Sequence, residues 1–185
     1  MQQSHCTPFL IFRFFLCEQN KIQTMQPILR TLNIYLADDD EADCLLFKEA
    51  LAALPVTANL TIVHNGEQLL NLLSQDGNVL PDVLFLDLNM PRKNGFAALG
   101  QIKRDEKLLN LPVIVFSSEN DQEKVKVVFR NAAHYYIQKP TKFSELKKVI
   151  YKALSIIAEG NAPLPKQTNF MLTSDVNSTS DESTP

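Results

Sequence analysis

The chain has 185 residues, 45% of them hydrophobic and 21% charged, the balance of a globular protein with one domain of ordinary size and tails. Its net charge of −3 comes from 18 basic and 21 acidic side chains, which excludes the basic footprint of a nucleic-acid binder. No apolar run reaches the ~18 residues that a membrane-spanning helix needs, so no membrane partner is expected.

The most hydrophobic stretch comes first, at Pro8–Cys17. It lacks the basic n-region and small-residue cleavage site of a signal peptide, and Arg13 interrupts it. Met25 stands just before the first well-patterned segment. Residues 1–25 are therefore read as a leader, either a misassigned start or a disordered extension. Cys6, Cys17 and Cys44 have no CxxC spacing and are too few for a disulfide framework. They are read as reduced thiols, which points to the cytoplasm.

From Asn33 onward two kinds of segment alternate. Short apolar runs predict strands at Ile34–Ala37, Asn59–Val63, Val83–Leu86, Val113–Phe116 and Tyr135–Gln138. Helical spacing follows the first strand at Cys44, Phe47, Leu51 and Leu54, and the fourth at Val125, Val128, Phe129 and Ala132. A longer amphipathic helix takes Phe143, Leu146, Val149, Ile150, Ala153, Leu154 and Ile157. Strand onsets lie 22 to 30 residues apart, room for a helical crossover and too much for a hairpin. The fold class is therefore α/β, a doubly wound (βα)5 domain on a five-stranded parallel sheet. It is expected to span residues 26–158. Residues 159–185 carry one basic and four acidic side chains, are rich in Ser and Thr, and are read as a disordered acidic tail.

In such folds ligands bind beyond the carboxyl ends of the strands. Asp38, Asp39, Asp40 and Glu41 follow the first strand, and Asp87, Leu88 and Asn89 the third. Ser117 and Ser118 follow the fourth, and Lys139 and Pro140 the fifth. Asp38, Asp39 and Asp87 would repel one another if ionised side by side, and a hard divalent cation such as Mg²⁺ removes the conflict. With a lysine and a hydroxyl beside it, a carboxylate is equipped to accept a phosphoryl group. Singly, each residue has a plainer role. Asp40 reads as a helix N-cap with Asp43 completing a capping box, and Lys-Pro reads as a turn. Their joint placement at four strand ends favours the site.

These stretches, IYLADDDEAD, PDVLFLDLNMPRKNG, LPVIVFSS and YYIQKP, resemble those of response-regulator receiver domains over residues 32–156. The chain is similar to the chemotaxis response regulator and to stand-alone receivers paired with bacterial phytochromes. The resemblance implies a flavodoxin-like sheet in the order 2-1-3-4-5. It implies Asp87 as phosphoacceptor, and Mg²⁺ held by Asp38, Asp39, Asp87 and the backbone carbonyl of Asn89. Ser117, with Ser118 beside it, and Lys139 would face the phosphoryl group, and Tyr136 would be the aromatic switch, turning inward as the Ser117 hydroxyl moves to the phosphate. Asn89 and Glu119 would tune dephosphorylation, and Lys139–Pro140 would be a cis peptide. Ala132-Ala133 stands where the family usually has Gly-Ala, so modest backbone differences are expected there.

The implied function is a single-domain response regulator of a two-component phosphorelay, a signalling domain rather than an enzyme. Its donor would be a sensor histidine kinase or phosphotransfer protein. Output would pass through the surface of the fourth helix, fifth strand and fifth helix to a downstream protein target or a homodimer. A phosphohydrolase of the haloacid-dehalogenase type also forms an aspartyl phosphate, but it wants a second aspartate where Asn89 stands. An unphosphorylated scaffold is the remaining alternative.

Overall fold

The computed structural model describes residues 25–75, 77–160 and 164–174. Residues 1–24 of the expected leader, Cys6 and Cys17 among them, lie outside them, while Met25 packs against the core. Five strands alternate with five helices: β1 Ile28–Ala37, α1 Glu41–Ala52, β2 Val56–Val63, α2 Gly66–Ser74, β3 Val83–Leu86, α3 Gly95–Ile102, β4 Val113–Ser117, α4 Gln122–Arg130, β5 Tyr135–Gln138 and α5 Phe143–Ala158. All pairings are parallel, in the order β2-β1-β3-β4-β5.

Burial explains the arrangement. Every residue of β3 and β4 is buried, as befits central strands covered on both faces, whereas the edge strand β2 alternates. One face of the sheet packs on α1 and α5. There Phe47, Phe85 and Phe116 meet edge to face, with centroids 4.9 Å apart for Phe47–Phe85 and 5.6 Å for Phe47–Phe116. The other face packs on α2, α3 and α4 through Leu69, Leu99, Ile102 and Val128. Helix α4 is the most lightly held of these, since Val128 is its only fully buried side chain.

Four helices open with an Asn or Asp cap just beyond a strand, and these caps fix the loops that border the site. Asp40 accepts from the amides of Ala42 and Asp43, Asn65 from Gln68, Asn94 from Ala97 and Asp121 from Glu123.

Two expectations are corrected. The stretch expected as a disordered tail returns to the sheet over Leu164–Ser174. A short 3₁₀ turn at Gln167–Asn169 leads Met171 into a parallel bridge with Tyr136, and Phe170 and Leu172 are buried. Two apolar anchors and an unpaired sheet edge outweigh the polar average of the segment. The Lys139–Pro140 bond is also not cis, because no described peptide bond is. The trans form is the intrinsically favoured one, and the long lysine stem reaches the site from it.

Ala132 itself adopts the left-handed conformation, with φ 56°. Glycine carries no Cβ penalty there, so Ala132→Gly should stabilise the fold by about 1 kcal/mol, read from the urea midpoint at unchanged slope. Buried His134 accepts from the Val113 amide through Nδ1 at 3.2 Å. Burial, helped by the charge of Lys103, lowers its pKa from 6.5 to about 4. The unfolded chain binds this proton first as pH falls. The contribution is therefore complete above pH 6.5 and lost towards about 4, by up to about 3 kcal/mol. Urea unfolding of the wild type against His134→Asn across that window should show a shallower pH slope in the variant.

Candidate functional site

The carboxyl ends of β1, β3, β4 and β5 meet at one rim. Asp38 and Asp87 follow the paired ends Ala37 and Leu86, and the Asp87 amide donates to the Ala37 carbonyl at 2.8 Å. Adjacent register thus sets the two acids side by side. One oxygen from each of Asp38, Asp39 and Asp87 lies within 4.8 Å of the others. Asp38 is 1% and Asp87 5% exposed, while Asp39 faces solvent.

The loop from Asp87 to α3 depends on Gly95. A Cβ at this position would stand 2.0 Å from the Asp87 carbonyl oxygen, so only glycine lets the chain close back over the acid. The Gly95 amide donates to the Leu88 carbonyl at 3.0 Å, and the Asn89 amide to Asp87 Oδ2 at 3.1 Å.

Lys139 is the positive centre. Its amide donates to the Ser117 carbonyl at 3.0 Å, which ties the start of its turn to β4. Its Nζ lies 2.8 Å from Asp38 Oδ2, 2.7 Å from Asp43 Oδ2 and 3.9 Å from Asp87 Oδ1. The Asp38 contact is a close ion pair made to an almost completely buried carboxylate. Burial opposes the Lys139 charge, but Asp38 and Asp43, with Asp87 behind them, outweigh it and raise the lysine pKa. Burial likewise raises the pKa of Asp38, although Lys139 and the Asp40 amide pull the other way.

The serine and tyrosine positions behave differently from one another. Ser117 is fully buried, and its Oγ accepts from the Glu119 amide at 3.4 Å. Ser118 is exposed and makes none of the described side-chain hydrogen bonds of the rim. The Tyr136 ring is enclosed, and its hydroxyl donates to the Glu119 carbonyl at 2.6 Å. Burial, with the charges of Glu119 and Asp87, pushes this phenol up to about 12 against a hydrogen bond with Ser117. Glu119 does not aim at Asp87. Its carboxylate pairs with Lys124 and accepts from the amides of Asn120 and Asp121, and Lys124 holds its pKa low. Asn89 is exposed at the mouth.

Sequence reasoning missed the role of Asp43. It was expected to complete the cap of α1, and its carboxylate instead grips Lys139, 96 residues away. His64 Nδ1 lies 3.1 Å from the Asp38 carbonyl oxygen. Cys44 is a core thiol, pushed up to about 11 by burial, and is poorly suited to act as a nucleophile.

The donor set fits a hard cation: three carboxylates crowded at an apolar sheet end, two of them buried. No helix among the described residues is long and apolar enough to cross a membrane.

The family model for the response regulator receiver domain matches residues 34–151. The probable methanogenesis regulatory protein FilR2 of Methanothrix harundinacea is 30% identical over 120 residues, covering 63% of this chain and 77% of FilR2. The response regulator Rcp1 of Synechocystis is 28% identical over 121 residues, covering 63% of this chain and 82% of Rcp1. Among solved structures, the phosphorylated cyanobacterial phytochrome response regulator RcpA is 31% identical with a TM-score of 0.64 over 74% of this chain and all of RcpA. The Mn²⁺-bound form of Rcp1 is 27% identical with a TM-score of 0.64, over 73% of this chain and 99% of Rcp1.

Millimolar Mg²⁺ or Mn²⁺ should raise the melting temperature, by the equivalent of about 1.4 kcal/mol at ten times the dissociation constant. Asp39 is exposed, so Asp39→Asn should fold normally and lose most of this cation-dependent gain in a thermal-shift titration.

Proposed function

Because this chain belongs to the response regulator receiver family, whose family model covers residues 34–151, we propose that it is a phosphorylation-operated signalling module whose phosphoacceptor is Asp87. The receiver spans residues 26–158 in this reading. The observation that carries it is the set of three carboxylates and one ammonium converging on a single rim, with Asp87 at its centre.

Transfer from a donor phosphohistidine forms a bond between an Asp87 oxygen and phosphorus. The phosphorus–nitrogen bond breaks, and its electron pair returns to the donor imidazole. A bound Mg²⁺ supplies charge neutralisation for the acids and the phosphoryl oxygens. Asp38, Asp39, Asp87 and the Asn89 carbonyl are the groups that would hold it. One solved relative binds Mn²⁺ and another is phosphorylated, which supports both halves of the reading.

The remaining work belongs to side chains of this protein. Lys139 stands between Asp38 and Asp43, within a short swing of Asp87, ready to pair with a phosphoryl oxygen. Ser117 ends β4 beside it and donates a hydroxyl to the same group. A Ser117 hydroxyl drawn to the phosphoryl group favours the inward Tyr136 ring already present here, so that occupancy of Asp87 is transmitted to β5 and α4. Asn89, exposed at the mouth, borders the path of attacking water and tunes the lifetime of the acyl phosphate, a role that Glu119 would share only on leaving its pairing with Lys124. Donor and target are proteins, a cytoplasmic histidine kinase or phosphotransfer protein on one side and a binding partner or second copy on the other. The domain assists its own phosphorylation and dephosphorylation and turns over no separate substrate.

Beryllofluoride with Mg²⁺ should perturb the amide resonances of Asp87–Asn89 and of β5, and acetyl phosphate should label the chain with one acid-stable, base-labile phosphate. Asp87→Asn should abolish both effects without loss of fold. Steady turnover of phosphomonoesters, or labelling that survives Asp87→Asn, would count against the reading.

A further inference from the structure

Strand β5 ends the sheet, so the outward N–H and C=O of Tyr136 have no neighbouring strand to meet. The chain supplies partners from beyond α5. The Tyr136 amide donates to the Phe170 carbonyl at 2.9 Å, and the Leu172 amide donates to the Tyr136 carbonyl at 2.8 Å. Phe170 and Leu172 then straddle the edge. Phe170, 2% exposed, joins the core on the α4 side, and Leu172, 6% exposed, joins the core on the α1–α5 side. Phe170 meets Phe129 of α4 edge to face at 5.2 Å and lies tilted against Tyr136 at 6.3 Å.

Tyr136 is thus held from two directions. The segment grips its backbone and covers its ring, while its hydroxyl reaches the turn that follows Ser117, at the Glu119 carbonyl. The inward ring forms one wall of the seat of Phe170. A ring swung away from Glu119 would remove that wall and disturb the two backbone bonds at the same residue.

We propose that the segment Leu164–Ser174 is an intramolecular clasp on the β5 edge, coupled through Tyr136 to occupancy of Asp87, which any partner that adds to that edge must displace. The coupling clause rests on the phosphoacceptor reading, and the clasp itself does not. Both events favour the same position of one side chain, so each strengthens the other by the same factor. The occupant is the chain's own segment rather than another copy's. Only eleven residues separate the end of α5 at Ala158 from Phe170, which keeps the local concentration of the segment high. The segment also states what a competitor must offer: an extended stretch running parallel to β5, with an aromatic residue and an aliphatic one two positions later.

The test is amide hydrogen exchange by NMR on the full chain. Without ligand, the Tyr136 and Leu172 amides should be protected, equally so over a twentyfold range of protein concentration. Phe170→Ala should cut that protection about tenfold. Leu172→Pro removes the bridging donor directly and, read at the Tyr136 amide alone, gives the same loss should the first variant fold poorly. Beryllofluoride with Mg²⁺ should raise the protection about fivefold or more, and the variants should bind beryllofluoride more weakly by the matching factor. Unprotected amides in the free chain would overturn the clasp, and protection that grows with concentration would move it between copies. Protection that falls on loading would overturn the coupling. Unmoved Asp87–Asn89 resonances would sink the phosphoacceptor reading and the coupling with it, while protected Tyr136 and Leu172 amides would still establish the clasp.

Discussion

Carboxylates crowded at the end of an apolar sheet repel one another, and the arrangement persists only because a buried ammonium stands among them. Lys139 lies within 2.8 Å of both Asp38 and Asp43 and within 3.9 Å of Asp87. A buried charge without a partner is far costlier than the same charge in water, so this lysine and these acids must be delivered together or not at all. Ordinary features of the fold serve that requirement. Parallel register between β1 and β3 sets Asp38 beside Asp87, Gly95 permits the close return of the chain, and the bond from the Lys139 amide to the Ser117 carbonyl anchors the lysine.

The same arrangement leaves the site with unfinished business. Lys139 divides its charge between Asp38 and Asp43, both nearer to it than Asp87 is. A divalent cation held by Asp38, Asp39 and Asp87 would supply further neutralising charge and leave the ammonium less tightly claimed by the acids. A site whose internal partners are good but incomplete can be rearranged by a ligand, because the ligand needs only to outcompete ion pairs rather than unfold a core.

Much of this was legible in the sequence because each essential residue directly follows an apolar run. Val83–Leu86 announces a central strand, so Asp87 had to emerge at its end, and the same logic placed Asp38, Ser117 and Lys139. Sheet order came from resemblance rather than from pattern, and the structure has it as β2-β1-β3-β4-β5. What could not be read were the pairings between distant positions. Asp43 satisfies every local rule for a helix start, and nothing nearby in sequence reveals a lysine 96 residues on. Ser118 follows Ser117 directly yet faces solvent, whereas Ser117 is buried. The C-terminal segment was hidden by averaging. Its polar composition is real, and two apolar side chains with two backbone bonds suffice to hold it once an edge is offered.

That edge ties the acidic rim to the rest of the molecule. A parallel sheet of this order has two edges, and β2, with its alternating burial, tolerates solvent on one of them. Strand β5 is only four residues long and has Lys139 immediately after it and Tyr136 within it. Whatever covers β5 therefore touches the residue whose hydroxyl meets the turn after Ser117, and whatever moves that turn alters the seat of the covering segment. Helix α4, anchored by one fully buried side chain, offers the least resistance to such a shift. The acidic rim is thus joined by a short run of contacts, through one tyrosine, to the most weakly packed flank of the domain.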